Sequence, residues 1–145
     1  MRVLGLDVGD RRIGVAMSDP LGMTAQRLMV LQRDTAAADV EAVRDLVERH
    51  GASAVVMGLP MTLRGERGPQ AQRVEAFAHA LRQRLAVPVH FVDERFTTVQ
   101  GTRALRETGV PARKQKPLID QVAAQLILQH FLDAQRSAHQ LPDDR

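Results

Sequence analysis

Two acidic residues follow apolar runs that have the character of buried strands. Asp7 ends the run of residues 3–6, and Glu94 follows the run of residues 87–92 after one intervening residue. Burial of a lone carboxylate costs free energy unless the group is paired with a cation or binds a metal. Ligand sites in parallel sheets lie at the carboxyl ends of the strands, so both acids are expected at one edge of the sheet.

A third acid, Asp120, lies in a segment with helical apolar spacing that is expected to form the last helix, beginning at Pro117. Ala123 and Ala124 follow on the same helix face and are small enough to let the helix approach a sheet closely. Spacing alone nevertheless favours a simpler interpretation of Asp120, in which the first turn of a helix stabilises an acid.

Carboxylates that converge from distant parts of a chain are suited to hard divalent cations. Oxygen ligands favour Mg²⁺ or Mn²⁺ over zinc. Two such ions about 4 Å apart would assist in-line displacement at a phosphodiester, one activating water and the other stabilising the leaving oxygen. Simpler roles stay open, because Asp7 could cap the turn that follows it and Glu94 could pair with Arg95.

Basic residues are concentrated between the second and third acids. Residues 95–117 contain six of them against one acid, Glu107, and residues 113–116 are expected to form a basic loop. Such a surface suits a phosphate backbone, although a solvated surface with nothing bound fits the charge equally well. The residues predicted to contact nucleic acid are Arg11, Arg12, Arg95, Arg113, Lys114 and Lys116.

The composition narrows the class of protein. A chain of 145 residues with 44% hydrophobic and 26% charged residues suits one globular domain. The absence of cysteine excludes thiolate nucleophiles and cysteine-based metal sites, and 3% aromatic residues argue against base stacking as the main mode of binding single strands. No run resembles a signal peptide or a membrane anchor, so no membrane contact and a cytoplasmic location are expected.

The elements that would position the acids follow a simple order. Three strands are expected in the first thirty residues, followed by alternating helices and strands up to residue 92. Thr97 and Gln100 have the spacing of a capping box, which would open a helix that ends at Gly109. The helix beginning at Pro117 completes a domain of residues 1–133, and residues 134–145 are expected to form a flexible tail. The order predicts a mixed α/β sheet of five strands, a three-strand meander plus two parallel strands, with helices on both faces.

Short motifs along residues 1–133 resemble, in the same order, those of the YqgF/RuvX family of bacterial RNase H-like proteins. They occupy residues 4–9 (LGLDVG), 12–16 (RIGVA), 58–60 (GLP), 68–71 (GPQA) and 93–95 (DER), with Thr97, Thr98, Asp120, Ala123 and Ala124. The resemblance implies an RNase H-like sheet with Asp7, Glu94 and Asp120 as a catalytic, metal-binding triad, and it strengthens the prediction for Asp120.

The same resemblance implies a nuclease that processes the 5′ end of pre-16S rRNA or, alternatively, a Holliday junction resolvase that acts on branched DNA. A resolvase would need two active sites related by symmetry, and the sequence leaves monomer and homodimer open.

Two other classes of function remain open. Residues 7–16 also resemble the phosphate-binding hairpin of the actin and sugar-kinase group, which would make the protein a nucleotide-binding module. That group forms its cleft between two lobes with a second hairpin, and a chain of 145 residues with one hairpin is too short for it. The other alternative is a non-catalytic nucleic-acid adaptor, in which the basic residues bind and the acids are inactive.

Overall fold

A computed structural model describes residues 1–62, 64–96 and 112–140. Its regular elements alternate in the order that the sequence predicts. They are the strands β1 (Arg2–Val8), β2 (Arg12–Ser18) and β3 (Ala25–Gln32), the helix α1 (Ala36–His50), the strand β4 (Ala52–Leu59), the helix α2 (Pro69–Arg84), the strand β5 (Val89–Asp93), a 3₁₀ turn (Glu94–Phe96) and the helix α3 (Ala112–Gln140).

The strands form one mixed sheet in the order β3-β2-β1-β4-β5. The first three make an antiparallel meander, while β4 and β5 run parallel to β1. The predicted combination of a meander with two parallel strands is therefore confirmed. Because β1, β4 and β5 run in the same direction, their last residues, Val8, Leu59 and Asp93, lie along one border of the sheet, which we call the carboxyl edge.

Helices α1 and α2 cover one face of the sheet. Thr35 caps α1, its hydroxyl accepting a hydrogen bond from the Ala38 amide, and Gly51 ends the helix in the left-handed conformation at φ 63°. The apolar positions of the two helices pack on the strand residues of that face in one core, which includes Leu4, Leu6, Val43, Met57, Val74 and Leu81.

Helix α3 covers the opposite face, which confirms the expectation of helices on both sides. Its residues Ala123, Ala124, Ile127 and Leu128 are fully buried against the sheet. The helices in the described part of the chain all lack the combination of length and hydropathy that a membrane crossing requires.

Glycines on the sheet allow α3 to lie unusually close. A Cβ atom added at Gly5 would stand 2.7 Å from the Cβ of Leu128, and one at Gly14 would stand 2.0 Å from the carbonyl oxygen of Asp120. Both values are below ordinary van der Waals contact, so a side chain at either position would push the helix away. Ala124, one of the two small residues that the sequence places on this helix face, has its carbonyl oxygen 3.1 Å from the same added Cβ at Gly5.

Two predictions about α3 are wrong. The helix begins at Ala112 and not at Pro117, so residues 113–116 are helical and do not form a loop. Pro117 lies in the second turn of the helix, where its missing N–H removes one backbone hydrogen bond, and the residues before it are good helix formers (Ala, Arg, Lys and Gln). The helix also continues to Gln140, so residues 134–140 of the expected flexible tail are helical. The predicted helix from Thr97 to Gly109 lies outside the described residues.

The close approach at Gly14 predicts a large effect of a single methyl group. Gly14→Ala should lower the free energy of unfolding by about 3 kcal/mol or more, because backbone atoms of α3 must move to relieve the overlap. Gly68→Ala is the matched control, since a Cβ there has its nearest neighbour at 3.7 Å, and it should cost at most about 1 kcal/mol. Urea denaturation of the two variants measures the difference, and equal stabilities would mean that α3 does not lie this close.

Candidate active site

Asp7 is the penultimate residue of β1 and faces α3. It pairs with Gly14 of β2 in the antiparallel register, and residues directly paired in this way point to the same side of a sheet. Since a Cβ at Gly14 would meet α3, the side chain of Asp7 is directed to the α3 face. The residue is only 2% exposed. A carboxylate is thus buried on the central strand at the carboxyl edge, as its position in the sequence predicted.

Asp120 lies on α3 directly over Gly14. Its Cβ is 3.2 Å from the position that a Cβ at Gly14 would take. Directly paired strand residues have Cβ atoms about 5 Å apart, so the carboxylates of Asp7 and Asp120 are within side-chain reach of each other. Because α3 begins at Ala112, Asp120 is more than two turns inside the helix. The interpretation of Asp120 as a first-turn acid is therefore wrong.

Glu94 approaches the same face from the other side of Asp7. It follows β5 immediately and is 1% exposed. A Cβ added at Gly58, on the strand β4 beside β1, would stand 2.6 Å from Glu94 Oε1. The carboxylate thus occupies the space that a side chain at Gly58 would fill.

The three acids and two glycines form one arrangement at the carboxyl edge. Gly14, Asp7 and Gly58 stand on three adjacent strands, β2, β1 and β4. The main chain of Asp120 lies over the first glycine and the carboxylate of Glu94 over the second. In the sequence, Gly14 and Gly58 are only parts of short motifs. Their role in making room for the two acids depends on the register of the strands, which cannot be obtained from the spacing of residues along the chain.

This arrangement fits a hard divalent cation by its donor set. All three buried side chains offer carboxylate oxygens, the ligands that Mg²⁺ and Mn²⁺ take in proteins. In the positions they occupy, no three His, Cys, Asp or Glu side chains of the described residues form a group that could hold one ion together. Joint binding therefore requires a change in side-chain direction, and Asp120 is the acid whose present contact is defined.

Arg12 binds Asp120 across the sheet-helix boundary. Its Nε donates a hydrogen bond to Asp120 Oδ2 at 2.9 Å. Arg12 precedes Gly14 by two residues on β2 and so points to the same face, and its side chain is 23% exposed. The neighbouring Arg11 is exposed. Both had been predicted to contact nucleic acid, and the structure adds an acidic partner within the protein for Arg12.

Asp93, the last residue of β5, has a structural role in the turn that follows it. Its Oδ1 accepts a hydrogen bond from the Arg95 amide at 2.9 Å, and its Oδ2 accepts one from Arg95 Nη2 at 2.6 Å. The hydrogen bond from the Arg95 side chain holds the pKa of the Asp93 carboxyl below its usual range, and the same contact raises the pKa of Arg95. Asp93 thus stabilises the turn that carries Glu94, while Glu94 faces α3.

The sequence did not indicate the side-chain contacts that hold the turn between β1 and β2. Arg33 Nη1 donates to the Gly9 carbonyl at 2.9 Å, and its Nε donates to Asp39 Oδ2 at 3.1 Å. The guanidinium also lies over the ring of Phe77, 5.2 Å from its centre. Asp39 is a buried acid, but its place in the first turn of α1 gives no signal of a partner other than the helix itself.

The remaining predicted nucleic-acid contacts lie near the same edge. Arg95 follows Glu94 and lies against the loop at Gly65, where an added Cβ would stand 2.9 Å from Arg95 Nη1. Arg113, Lys114 and Lys116 belong to the first turns of α3, which leads to Asp120. The directions of these three side chains lie outside what the structure describes.

Comparison with known proteins identifies relatives along nearly the whole chain. The family model "RuvX: Holliday junction resolvase" matches residues 1–134. A protein of Moorella thermoacetica is 51% identical over 133 residues, which are 92% of this chain and 95% of the relative. A protein of Gloeobacter violaceus is 49% identical over 137 residues, which are 94% of this chain and 86% of the relative. Both carry the name "Putative pre-16S rRNA nuclease".

Solved structures share the fold at much lower identity. RuvC of Thermus thermophilus, in complex with a Holliday junction substrate, matches with a TM-score of 0.60 at 17% identity, covering 94% of this chain and 96% of that one. The Fowlpox virus resolvase, also in complex with Holliday junction DNA, matches with a TM-score of 0.51 at 10% identity, covering 93% and 99%. These matches confirm the predicted RNase H-like fold. The family model and the curated relatives establish that the chain belongs to the RuvX family.

Proposed function

We propose that the protein is a metal-dependent endonuclease that hydrolyses phosphodiester bonds in structured nucleic acid, with Asp7, Glu94 and Asp120 as ligands of Mg²⁺ or Mn²⁺. One observation carries the proposal. Gly14 and Gly58 stand on the two strands that flank Asp7. The space of their missing side chains is taken by the main chain of Asp120 and by the carboxylate of Glu94, which brings both acids close to Asp7. Three buried carboxylates on one face of a sheet are costly unless they bind a cation.

Each acid has a separate part in the proposed site. Asp7 stands on the central strand, whose position is fixed by pairing on both sides, so it provides the reference point of the site. Glu94 and Asp120 approach from flanking elements and complete the set of oxygen donors. Two bound ions would stabilise charge on the phosphate and lower the pKa of the attacking water. The strands and the helix that carry the three acids must be rigid, because the positions of metal ligands must hold to about half an ångström.

The proposed substrate is pre-16S rRNA, which the names of the curated relatives indicate, and the family resemblance of the sequence motifs implies cleavage at its 5′ end. The proposal places the protein in the cytoplasm, where such precursor RNA is made. The description of the family model favours a second candidate, resolution of branched DNA. That reaction would need a homodimer with two sites, so the oligomeric state in solution and cleavage of a four-way junction test it. ATP binding without cleavage would instead support the nucleotide-binding alternative, and RNA binding without cleavage would support the adaptor.

The metal requirement can be tested at Asp7. Asp7→Asn keeps the shape of the side chain but removes a ligand charge, so it should abolish cleavage of a 5′-extended 16S precursor fragment in Mg²⁺ or Mn²⁺. Binding of the RNA should be unchanged or tighter, because a negative charge near the phosphate is lost. Gel-based cleavage and filter binding measure the two quantities. Full activity of the variant, or of the wild type in excess chelator, contradicts the proposed triad.

Asp93 and Glu94 are neighbours in the chain, but substitutions at the two positions should have opposite effects on activity and stability. Glu94→Gln is expected to remove metal-dependent cleavage without lowering the melting temperature, and to raise it if the buried charge destabilises the metal-free protein. Asp93→Asn should keep measurable activity and cost about 1 kcal/mol of stability, since the pair with Arg95 is weakened. Turnover and thermal melting of both variants decide the matter. An inactive Asp93→Asn beside an active Glu94→Gln would reverse the assignment.

The start of α3 is proposed to contact phosphates beside the cleaved bond. Replacement of Arg113, Lys114 and Lys116 by Ala should weaken binding to all sequences and reduce the slope of log K against log salt by roughly one to three. The control is a triple change of the same charge at exposed arginines on the two helices of the other face, Arg44, Arg49 and Arg84. If both triple variants change the slope equally, the effect is one of net charge and not of this segment.

A further inference from the structure

The contact between Arg12 and Asp120 joins residues 108 positions apart. Its hydrogen bond is 2.9 Å long, and the side chain of Asp120 is 7% exposed while that of Arg12 is 23% exposed. A charge-assisted hydrogen bond at such a boundary is stronger than one on the open surface, because water competes with it less. Asp120 therefore has a defined cationic partner before any metal is considered.

The same oxygen cannot serve two cations equally well. Asp120 Oδ2, while it accepts from Arg12 Nε, is directed toward β2 and offers less of its charge to an ion beside Asp7. In their present directions, the acids among the described residues do not form a group that could hold one ion. A shared ion with Asp7 and Glu94 thus calls for a change in the direction of at least one of these acids, and Asp120 is the one that an arginine holds by a defined contact.

We propose that Arg12 is a displaceable counter-ion: it holds Asp120 in the metal-free protein and releases it when a divalent cation binds. This inference rests on the proposed function, because it takes the three acids as the metal ligands. Arg12 is a positioning residue in the metal-free state. After release its guanidinium stands at the carboxyl edge beside the acids, where its fork of donors is suited to a phosphate of the substrate.

The proposal makes metal affinity and metal-free stability change in opposite directions. Loss of Arg12 removes the competitor for Asp120, so metal should bind more tightly. The same loss leaves a buried carboxylate without this arginine, so the metal-free protein should melt at a lower temperature. A purely structural role of Arg12 would lower stability and weaken metal binding together.

The test compares Mn²⁺ binding, measured by calorimetry, in the wild type and in two variants. Arg12→Gln should bind Mn²⁺ about tenfold more tightly, the scale of one charge-assisted hydrogen bond. Arg11→Gln removes the same charge from the exposed neighbour and should change the affinity less than about twofold. If Arg12→Gln binds Mn²⁺ no more tightly than Arg11→Gln, the inference is overturned.

A second measurement uses the unaltered protein. The Nε–Hε resonance of Arg12 should show an ion-paired shift in metal-free protein and lose it on addition of Mg²⁺. A resonance that keeps its shift at saturating Mg²⁺ contradicts the exchange, even if Arg12→Gln fails to fold. Absence of Mn²⁺ binding in the wild type, or equal binding in Asp7→Asn, would instead overturn the proposed function itself, so the two failures are distinguishable.

Discussion

The closeness of α3 to the sheet is the constraint on which the candidate site depends. The helix can reach this position only because Gly5 and Gly14 present no side chain to it. Glycine in a strand costs about 0.5–1 kcal/mol relative to alanine, and a more stable sheet could have been built with alanine at both positions. With a methyl group at Gly14, however, Asp120 would be displaced from β2 and from Asp7. The site therefore exists at the expense of some sheet stability.

A second constraint follows from placing three acids on one buried face. Like charges at short range raise the free energy of the metal-free protein. Arg12 offsets part of this cost at Asp120, and Arg33 and Asp39 secure the turn that joins β1 to β2 at the same edge. Arginine contacts thus support the carboxyl edge at which the acids lie.

Local patterns in the sequence predicted most of the fold and the location of two of the three acids at the carboxyl edge of the sheet. Asp7 and Glu94 were indicated by their positions at the ends of apolar, strand-like runs. The prediction for Asp120 was weaker. With the helix expected to begin at Pro117, Asp120 fell in its first turn, where an acid needs no other explanation, and the family resemblance was the argument for a catalytic role. The contact with Arg12 could not be predicted, because it depends on strand register and on helix placement 108 residues away.

Asp120 is also the last of the three acids to be synthesised. Chains emerge from the ribosome with the N-terminal part first, so β1 to β5 can pair while α3 is still being made. At that stage Asp7 lies on a sheet whose outer face has no helix, and Glu94 has no third acid beside it. A nascent chain would therefore lack the complete site until translation is nearly over.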